Sequence, residues 1–369
     1  GTPTGKGHRP GLDETRERLT ARLAALGAEV ETHPGRSKPD WLIGAAPDSG
    51  PPPTAVCRRL RAGSPRVLIA GHLDTVHDPE SDFRALTISP DGETATGPGC
   101  VDMKGGLVIA VAALEALEDA GADASWTFYL NSDEETGTYH SRETLEDESR
   151  GHDWGLALEP ALPGGELAIE RMGAGQFMVE CRGKSAHVGR AFTEGVSAVN
   201  KLAECLVAIS KMPDPEHGKI LNVGPLQGGP VVNAVPDLAR AWGNVRYPTP
   251  AVGDEIGAML DALATGPDAM PAVSVFRSFN RPAKPMLPET EALGLRARGV
   301  AEALGQRLPF INTGGVCDGN IMQNAGLPTI DTLGVRGGGL HTPDEWIELP
   351  SLVERCQLLA VLVHRLSSP

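Results

Sequence analysis

The stretch RVLIAGHLD, residues 66–74, joins a short apolar run to a histidine and an aspartate. Its apolar part, which ends at Gly71, is typical of a strand that is buried on both faces of a sheet. Two further runs of this kind, Trp126–Leu130 and Trp154–Leu158, follow along the chain, and Gly105–Ala120 carries apolar residues at helical spacing. Strands that alternate with helices predict an α/β fold with a mostly parallel sheet.

The pattern changes after residue 172. The elements predicted there, in order strand, helix, strand, strand, helix and strand, are Gln176–Cys181, Glu194–Lys211, Ile220–Val223, Ala239–Val245, Asp254–Leu263 and Val273–Phe276. This order is that of the ferredoxin-like split unit. The α/β pattern resumes after Pro282. We therefore predict a core domain of residues 1–172 and 283–369, interrupted by an inserted α+β domain of residues 173–282.

Three further elements of the core domain are predicted from local patterns. They are a helix over Leu12–Val30 that closes on Gly27, a helix over Glu289–Leu304 and a last helix over Leu352–Leu366. A short strand is predicted near Thr329–Leu333, and residues 47–53 form a Pro-rich turn region.

Composition and charge exclude several classes of protein. The 369 residues include 33 basic and 48 acidic ones, a formal net charge of −15, so nucleic acid and anionic membranes would repel the chain. The longest apolar stretch, Gly106–Leu114, is too short to span a bilayer. The six cysteines never form a CxxC pair and are typical of reduced thiols, and the start of the chain shows no apolar leader. These features predict a cytoplasmic protein.

Acidic residues and histidines follow the predicted strands at the point where each strand ends. His72 and Asp74 follow the first strand, Glu134 and Glu135 follow the second, and Glu159 ends the third. Because the carboxyl ends of parallel strands meet at one edge of a sheet, we expect these side chains to share a crevice. Three strands that each deliver a metal-type ligand to one edge predict a metal site.

Each of these residues also has an ordinary structural interpretation. Glu134 and Glu135 could be a solvated charge pair before a turn, and Glu159 could simply end a strand. Asp102 could cap the helix that begins near Gly105, and His341 could be a loop residue. Taken together, these alternatives require several independent coincidences.

The sequence resembles the M20 metallopeptidase family. Within that family its motifs are most similar to those of the glutamate carboxypeptidase branch, and aminoacylases and succinyl-diaminopimelate desuccinylases are further relatives. The matching motifs are GHLDTV (71–76), GPGCVDMKGG (97–106), NSDEETGT (131–138), ALEP (157–160), GKSAHVG (183–189), NAVPD (233–237), NVRYP (244–248) and GLHTPDE (339–345). They occur in family order over most of the chain. The resemblance implies a zinc-binding catalytic α/β domain interrupted by a lid domain that commonly dimerises, so a homodimer is expected.

The resemblance also implies two zinc ions per subunit, with Co²⁺ or Mn²⁺ as alternatives. The ligands implied for one ion are His72, Asp102 and Glu159. The ligands implied for the other are Asp102, Glu135 and His341, so that Asp102 bridges the two. Glu134 would be the general base, and Asp74 would orient His72.

Three residues of the lid domain are implied to act on substrate. His187 would reach the active site of the partner subunit and help to hold the oxyanion. Asn233 and Arg246 would contact substrate, since the fork of an arginine suits a free carboxylate. The ordinary alternatives are a histidine in a turn, a loop asparagine and a surface arginine on a strand.

Two substrate classes are compatible with this site. A carboxypeptidase would cleave the amide bond next to a C-terminal amino acid, such as glutamate, of a small peptide. An amidohydrolase of the aminoacylase or deacetylase type would act on an N-acyl amino acid. A third hypothesis, a non-catalytic metal-binding protein, is less favoured than these two enzymes because Glu134 and all the implied ligands are present.

Overall fold

The computed structural model describes residues 2–43, 50–266 and 268–368. The described residues form two compact units. The first unit contains residues 2–37, 50–171 and 286–368, and the second contains residues 38–43, 172–266 and 268–285. Of the predicted Pro-rich turn region, residues 47–49 lie outside the described residues.

The strands of the chain are numbered in order. They are β1 (Glu29–His33), β2 (Thr54–Arg59), β3 (Val67–His72), β4 (Thr87–Ile88), β5 (Thr94–Thr96), β6 (Trp126–Asn131), β7 (Trp154–Ala157), β8 (Leu167–Arg171), β9 (Gly173–Arg182), β10 (Ala186–His187), β11 (Ile220–Gly228), β12 (Ala234–Val235), β13 (Leu238–Tyr247), β14 (Ala272–Arg281), β15 (Phe310–Thr313), β16 (Thr329–Ile330), β17 (Gly337–Gly338) and β18 (Trp346–Glu348).

The helices are numbered in the same way. They are α1 (Arg9–Ala25), α2 (Gly105–Asp119), α3 (Arg142–Arg150), α4 (Val188–Ala191), α5 (Ala198–Ile209), α6 (Pro250–Asp261), α7 (Pro288–Ala303), α8 (Asp318–Asn324) and α9 (Leu349–Ser367). Short helical turns cover Cys100–Lys104, Phe192–Glu194 and Pro215–His217.

The first unit is built on a six-stranded sheet with the order β1-β2-β6-β3-β7-β16. Strands β6, β3, β7 and β16 run parallel to one another, whereas β1 and β2 add two antiparallel pairings at one edge. Strand β3 is buried along its whole length, which explains its nearly continuous apolar sequence. The prediction of an α/β fold with a mostly parallel sheet is confirmed.

Helices cover both faces of this sheet. On one face, Ile69 and Phe128 pack in a large apolar cluster that also contains residues of α1, α2, α7 and α9. On the other face, Leu68 and Tyr129 pack with Leu145 of α3 and with residues of α8. Neighbouring residues of β3 therefore alternate between two apolar cores, and the sheet is the middle of three layers.

The second unit is a four-stranded antiparallel sheet with the order β11-β13-β9-β14. Helices α5 and α6 lie on one face of it, where Leu202 and Ile256 pack against Phe177, Val179 and other core residues. This is the predicted ferredoxin-like α+β insert, and the prediction is confirmed.

Residues 38–43 belong to the second unit although they lie between β1 and β2 in the sequence. The indole Nε1 of Trp242 donates a hydrogen bond of 2.7 Å to the carbonyl of Trp41. The rings of Trp41 and Phe276 lie 6.3 Å apart. The predicted domain boundaries place this segment in the catalytic domain, whereas these contacts group it with the inserted sheet.

The first helix closes at Gly27 as predicted, and only the last residues of the predicted segment Leu12–Val30 lie outside it. The amide of Gly27 bonds to the carbonyl of Ala24, and that of Ala28 bonds to Leu23, with Gly27 at a φ of +82°. This is a Schellman ending, which requires the left-handed conformation that glycine adopts most easily. Residues 29–33 then form β1 instead of continuing the helix.

Two further observations concern the helices and the cysteines. None of the helices in the described part of the chain is long and apolar enough to cross a membrane. All six cysteines carry free thiols.

Candidate metal centre

Three parallel strands deliver the candidate residues to one edge of the sheet. His72 is the last residue of β3 and pairs in register with Asn131, the last residue of β6. Ala70 of β3 pairs with Ala157 of β7, so Glu159 follows directly at the same edge. The common direction of these strands therefore assembles residues that lie almost 90 positions apart in the sequence.

The segment that carries Asp102 approaches this edge from the start of α2. A side chain at Gly106 would place its Cβ only 2.4 Å from the carbonyl oxygen of Leu158. Glycine at this position therefore allows α2 to pack directly against the end of β7. This close approach sets Asp102 near Glu159.

His72 is buried and contacts two carboxylate-bearing residues. Its Nδ1 lies 3.0 Å from the carbonyl oxygen of Asp74, and its Nε2 lies 3.1 Å from Oδ1 of Asp102. Burial alone would lower the pKa of His72, but the carboxylates of Asp102 and Asp74 raise it well above the usual value. Because Nδ1 faces Asp74, Nε2 is the nitrogen that faces the centre.

Asp102 lies between two imidazoles. Its Oδ1 faces His72, and its Oδ2 lies 3.4 Å from Nε2 of His341. Burial would raise the pKa of Asp102, but hydrogen bonds from His341 and His72 hold it well below the usual value. The two oxygens of one carboxylate are thus directed at two different candidate ligands.

Glu135 completes this side of the centre. Its Oε2 lies 3.4 Å from Nε2 of His341, and desolvation raises the pKa of its carboxyl group. The other oxygen, Oε1, is buried and has no hydrogen-bond partner among the described residues. One ligand atom each from His72, Asp102 and Glu135 lie within 4.8 Å of one another. A buried carboxylate oxygen without a donor, beside a second carboxylate and an imidazole, fits the donor set of a divalent metal.

Glu159 belongs to the same electrostatic environment. Burial, and then the nearby charges of Glu134 and Asp102, raise the pKa of its carboxyl group well above the usual value. His72 and Arg171 oppose this shift. A cation bound among these carboxylates would remove the repulsion between them.

His341 has an unusual backbone conformation. Its φ is +63°, in the left-handed region that residues other than glycine rarely adopt. Its side chain is about half exposed, and the hydrogen bonds to Asp102 and Glu135 raise its pKa to about 10. Strained backbone of this kind is concentrated at functional sites, where surrounding contacts hold it in place.

Asp74 has a wider role than the predicted orientation of His72. Its Oδ1 lies 3.4 Å from His72 Nδ1, but both carboxylate oxygens also accept backbone hydrogen bonds. The amide of Glu134 donates to Oδ1 at 3.2 Å, and that of Glu135 donates to Oδ2 at 2.9 Å. One buried carboxylate therefore fixes both the histidine and the turn that carries the two glutamates.

The three candidate residues of the inserted domain lie in the second unit. His187 pairs with Ala234, and the amide of Val188 donates to the carbonyl of Asn233, so His187 and Asn233 are neighbours. Arg246 lies apart from them on β13, half-buried, and desolvation lowers its pKa. Their roles toward substrate stay predictions.

Two further buried aspartates lie near the centre: Asp318 was not singled out from the sequence, and Asp133 follows the second predicted strand but was assigned no role. Asp318, at the start of α8, accepts hydrogen bonds of 2.7 Å from both Asn131 and Thr138. Asp133 accepts one from Ser141, and burial raises its pKa to about 6. Asp318 therefore joins the two ends of the loop that carries Glu134, and Asp133, within that loop, joins it to the residues that precede α3. The Asp-Gly-Asn that opens α8 is a helix-start signal that could have drawn attention to Asp318.

Most of the sequence matches one known protein family. The sequence profile described as peptidase family M20/M25/M40 matches residues 68–365, which is most of the chain. The chain belongs to peptidase family M20. It is therefore a hydrolase of the metallopeptidase and amidohydrolase type, and the resemblance seen in the motifs is confirmed.

Individual M20 relatives cover nearly the full length. Carboxypeptidase G2 of a Pseudomonas species (strain RS-16) is 27% identical, and the match covers 99% of this chain and 86% of the relative. A succinyl-diaminopimelate desuccinylase of Methylorubrum populi is 29% identical, with 90% and 88% covered.

Solved structures of M20 proteins share the fold. A tripeptidase of Staphylococcus aureus has a TM-score of 0.74 at 22% identity, and the match covers 96% of this chain and 93% of that one. A Bacillus subtilis protein described as a dinuclear metal binding peptidase has a TM-score of 0.66 at 15% identity, with 96% and 92% covered.

Proposed function

We propose that this M20 hydrolase binds two zinc ions and cleaves the amide bond next to a C-terminal amino acid. The observation that carries the proposal is the position of Asp102, whose two carboxylate oxygens face His72 and His341. A bridging carboxylate of this kind is suited to a pair of metals about 3.5–4 Å apart. Glu159 and Glu135 would complete the ligand sets on the two sides.

The ligand chemistry favours zinc in a catalytic role. Mixed imidazole and carboxylate ligands leave coordination positions open, unlike the closed, cysteine-rich sets of structural zinc sites. Co²⁺ or Mn²⁺ would fit the same ligands. When bound, the two metals would supply Lewis acidity, which lowers the pKa of water and polarises a carbonyl group.

Glu134 is the residue that we assign to proton transfer. It lies on the turn held by Asp74, next to Glu135, and its charge contributes to the raised pKa of Glu159. In the proposed reaction its carboxylate takes a proton from the attacking water and then gives it to the leaving amine. The amide C–N bond breaks as the new C–O bond forms, and the products are a carboxylic acid and an amine.

The inserted domain would bind the remainder of the substrate. The guanidinium of Arg246 is suited to pair with the free carboxylate of a C-terminal residue. Its partial burial would strengthen such a pair because competing water is excluded. Asn233 and His187, which lie side by side, would hold the substrate and the developing oxyanion.

The relatives support two substrate classes for this one site. The match to a carboxypeptidase over nearly the whole chain favours the release of a C-terminal amino acid, with glutamate as the first candidate. The matches to succinyl-diaminopimelate desuccinylases favour the alternative, an amidohydrolase that acts on N-acyl amino acids.

A substrate panel tests the proposal. The purified protein would be analysed for metal, reloaded with Zn²⁺ and assayed against dipeptides with different C-terminal residues and against N-acetyl and N-succinyl amino acids. We expect turnover of dipeptides, with release of the C-terminal residue. Turnover of acyl amino acids alone would exclude the peptidase assignment, and an inactive protein without bound metal would exclude the hydrolytic centre.

Metal binding is expected to release protons. In the metal-free protein the pKa of His341 is about 10 and that of His72 lies well above 6.5, so both imidazoles are protonated at pH 7. A metal requires the unprotonated nitrogen, so loading zinc ions should release protons from both imidazoles at pH 7. Apparent affinity should consequently fall as the pH is lowered from 9 to 6.

Calorimetric titration in two buffers of different ionisation enthalpy measures this release. The observed heat should differ between the buffers in proportion to the number of protons released. Equal heats in both buffers at pH 7 would show that the imidazoles are unprotonated before the metal binds.

We also propose a homodimer formed through the second unit. Strand β11 is at the edge of its sheet and exposes Ile220 and Leu226, while the neighbouring α5 exposes Val199 and Val207. An exposed apolar edge of this kind invites pairing with a second copy.

Leu226→Lys is expected to shift the dimer toward monomer. A charge on the apolar edge opposes pairing, and sedimentation velocity at several concentrations measures the shift. Leu86→Lys, at an equally exposed leucine of the first unit, is the matched control. A wild-type protein that sediments as an active monomer would contradict the dimer.

A further inference from the structure

We propose that Glu345 and His77 form a positioning pair that fixes the carboxylate of Asp102 between the two metal positions. The inference rests on the proposed two-metal centre and adds two residues to it. Neither residue is a candidate ligand, and both act through the backbone of the segment that carries Asp102.

Glu345 is completely buried, and each of its two carboxylate oxygens accepts two hydrogen bonds. Oε1 accepts hydrogen bonds from the amides of Val101 at 2.8 Å and Asp102 at 3.0 Å. Oε2 accepts one from the amide of Gly99 at 2.7 Å and one from Nε2 of His77 at 2.5 Å. A buried carboxylate is costly unless it is paired, and four donors meet that requirement here.

The backbone amides around Asp102 need hydrogen-bond acceptors from outside their own segment. Gly99 has a φ of +68°, and Asp102 has a φ of −116° and a ψ of 95°, so the backbone leaves the helical conformation at both positions. Amides in such an irregular segment have no regular ladder of carbonyl partners. The carboxylate of Glu345 takes the place of these carbonyls for three of them.

Glu345 also connects two loops that would bind metal. It follows His341 by four residues, and its own carbonyl accepts a hydrogen bond of 3.1 Å from the amide of Gly97. The loop of His341 and the loop of Asp102 are therefore joined at both the side chain and the backbone of one residue. This junction fixes the separation between the imidazole of His341 and the carboxylate of Asp102.

His77 connects the segment that follows His72 to the same junction, through its contact with Glu345. It lies five residues after His72, and its ring packs edge-on against Phe83 with centroids 5.1 Å apart. Since Nε2 donates to Glu345, the ring orients the carboxylate that in turn holds Asp102. His77 also borders a cavity of about 310 Å³, so removal of its ring enlarges existing space instead of creating a sealed void.

Glu345→Gln should weaken metal binding without removing a ligand. The amide group of glutamine would point a donor at one of the backbone amides, and Asp102 would lose its fixed direction. Replacing residues that orient metal ligands typically costs about 10- to 100-fold in affinity, and we expect a loss of this size for both metals. His77→Leu should give a smaller loss, which His77→Gln should restore in part because its side-chain amide can donate to Glu345.

Competition with a chromophoric chelator measures the two zinc dissociation constants, and the visible spectrum of the Co²⁺-loaded protein reports ligand geometry. Glu348→Gln is the matched control, since Glu348 is on the adjacent strand β18 and pairs with Arg336 at the surface. We expect weaker zinc binding and an altered Co²⁺ spectrum for Glu345→Gln and His77→Leu, and neither change for the control. The melting temperatures of the metal-free proteins separate this effect from general destabilisation.

Three results would overturn the inference. The first is that Glu345→Gln binds zinc as tightly as the control Glu348→Gln does, in a protein whose wild type binds two metals. Another is a fall in metal-free stability with an unchanged Co²⁺ spectrum, which would show a purely structural role. If Glu345→Gln does not fold, wild-type affinity in His77→Leu has the same meaning. A wild type that binds no metal would instead refute the proposed centre itself.

Discussion

Glu134→Gln is expected to lower kcat by about 10²- to 10⁴-fold while two metal ions stay bound per subunit. Glutamine has nearly the shape of glutamate, and the backbone amide of residue 134 would still donate to Asp74. The change removes only the capacity to accept and return a proton. Because that transfer occurs in the transition state, the loss should appear in kcat with KM little changed.

Steady-state kinetics and metal analysis of the same preparation check this result. Glu143→Gln, on the exposed surface of α3 where it pairs with Arg36, is the matched control and should behave as the wild type. Unchanged turnover in Glu134→Gln would refute its role as general base. Loss of metal from the variant would show that Glu134 is a ligand instead.

Asp102→Ala is expected to abolish binding of both metals and to reduce turnover to the uncatalysed background. His72 and His341 face different oxygens of this one carboxylate, so its removal takes a ligand from each position. His72→Ala should by comparison affect mainly one position. The distinction between losing two metals and losing one tests the bridging role directly.

Metal content after dialysis and thermal unfolding with added Zn²⁺ measure the outcome. A metal that binds only the folded protein raises its melting temperature, so zinc should stabilise the wild type and not Asp102→Ala. Asp82→Ala, at a fully exposed carboxylate, is the control. If Asp102→Ala kept one metal at wild-type affinity, Asp102 could not bridge two.

The strand ends of the first unit could be predicted because their pattern is local. Apolar runs at residues 66, 126 and 154 identify β3, β6 and β7, and parallel strands bring their carboxyl ends to one edge. Strand β1 escaped prediction because its sequence, EVETH, is polar and follows a helix ending, and β2 because its apolar residues are few and follow a Pro-rich stretch. Strand β1 is the edge of the sheet and is mostly exposed, so it has no apolar pattern to recognise.

The residues that hold the centre in place were harder to find than its candidate ligands. Asp74 could be connected with His72 from their spacing, but not with the amides of Glu134 and Glu135. Glu345 lies within the motif GLHTPDE, yet nothing in the sequence shows that its partners are backbone amides around residue 100. A hydrogen bond to a backbone amide is independent of the donor's side chain, so residue types do not reveal it.

The placement of Trp41 has a consequence for dissecting this enzyme. The polypeptide passes between its two units at four points instead of the two that a simple insertion would need. Excising residues 172–285 would therefore remove Phe276, whose ring lies beside the indole of Trp41, and Trp242, whose Nε1 donates to the backbone carbonyl of Trp41. Residues 172–285 expressed alone would lack the indole of Trp41, which lies beside the ring of Phe276. An exchange of this insert between homologues should therefore include residues 38–43, so that these contacts are kept.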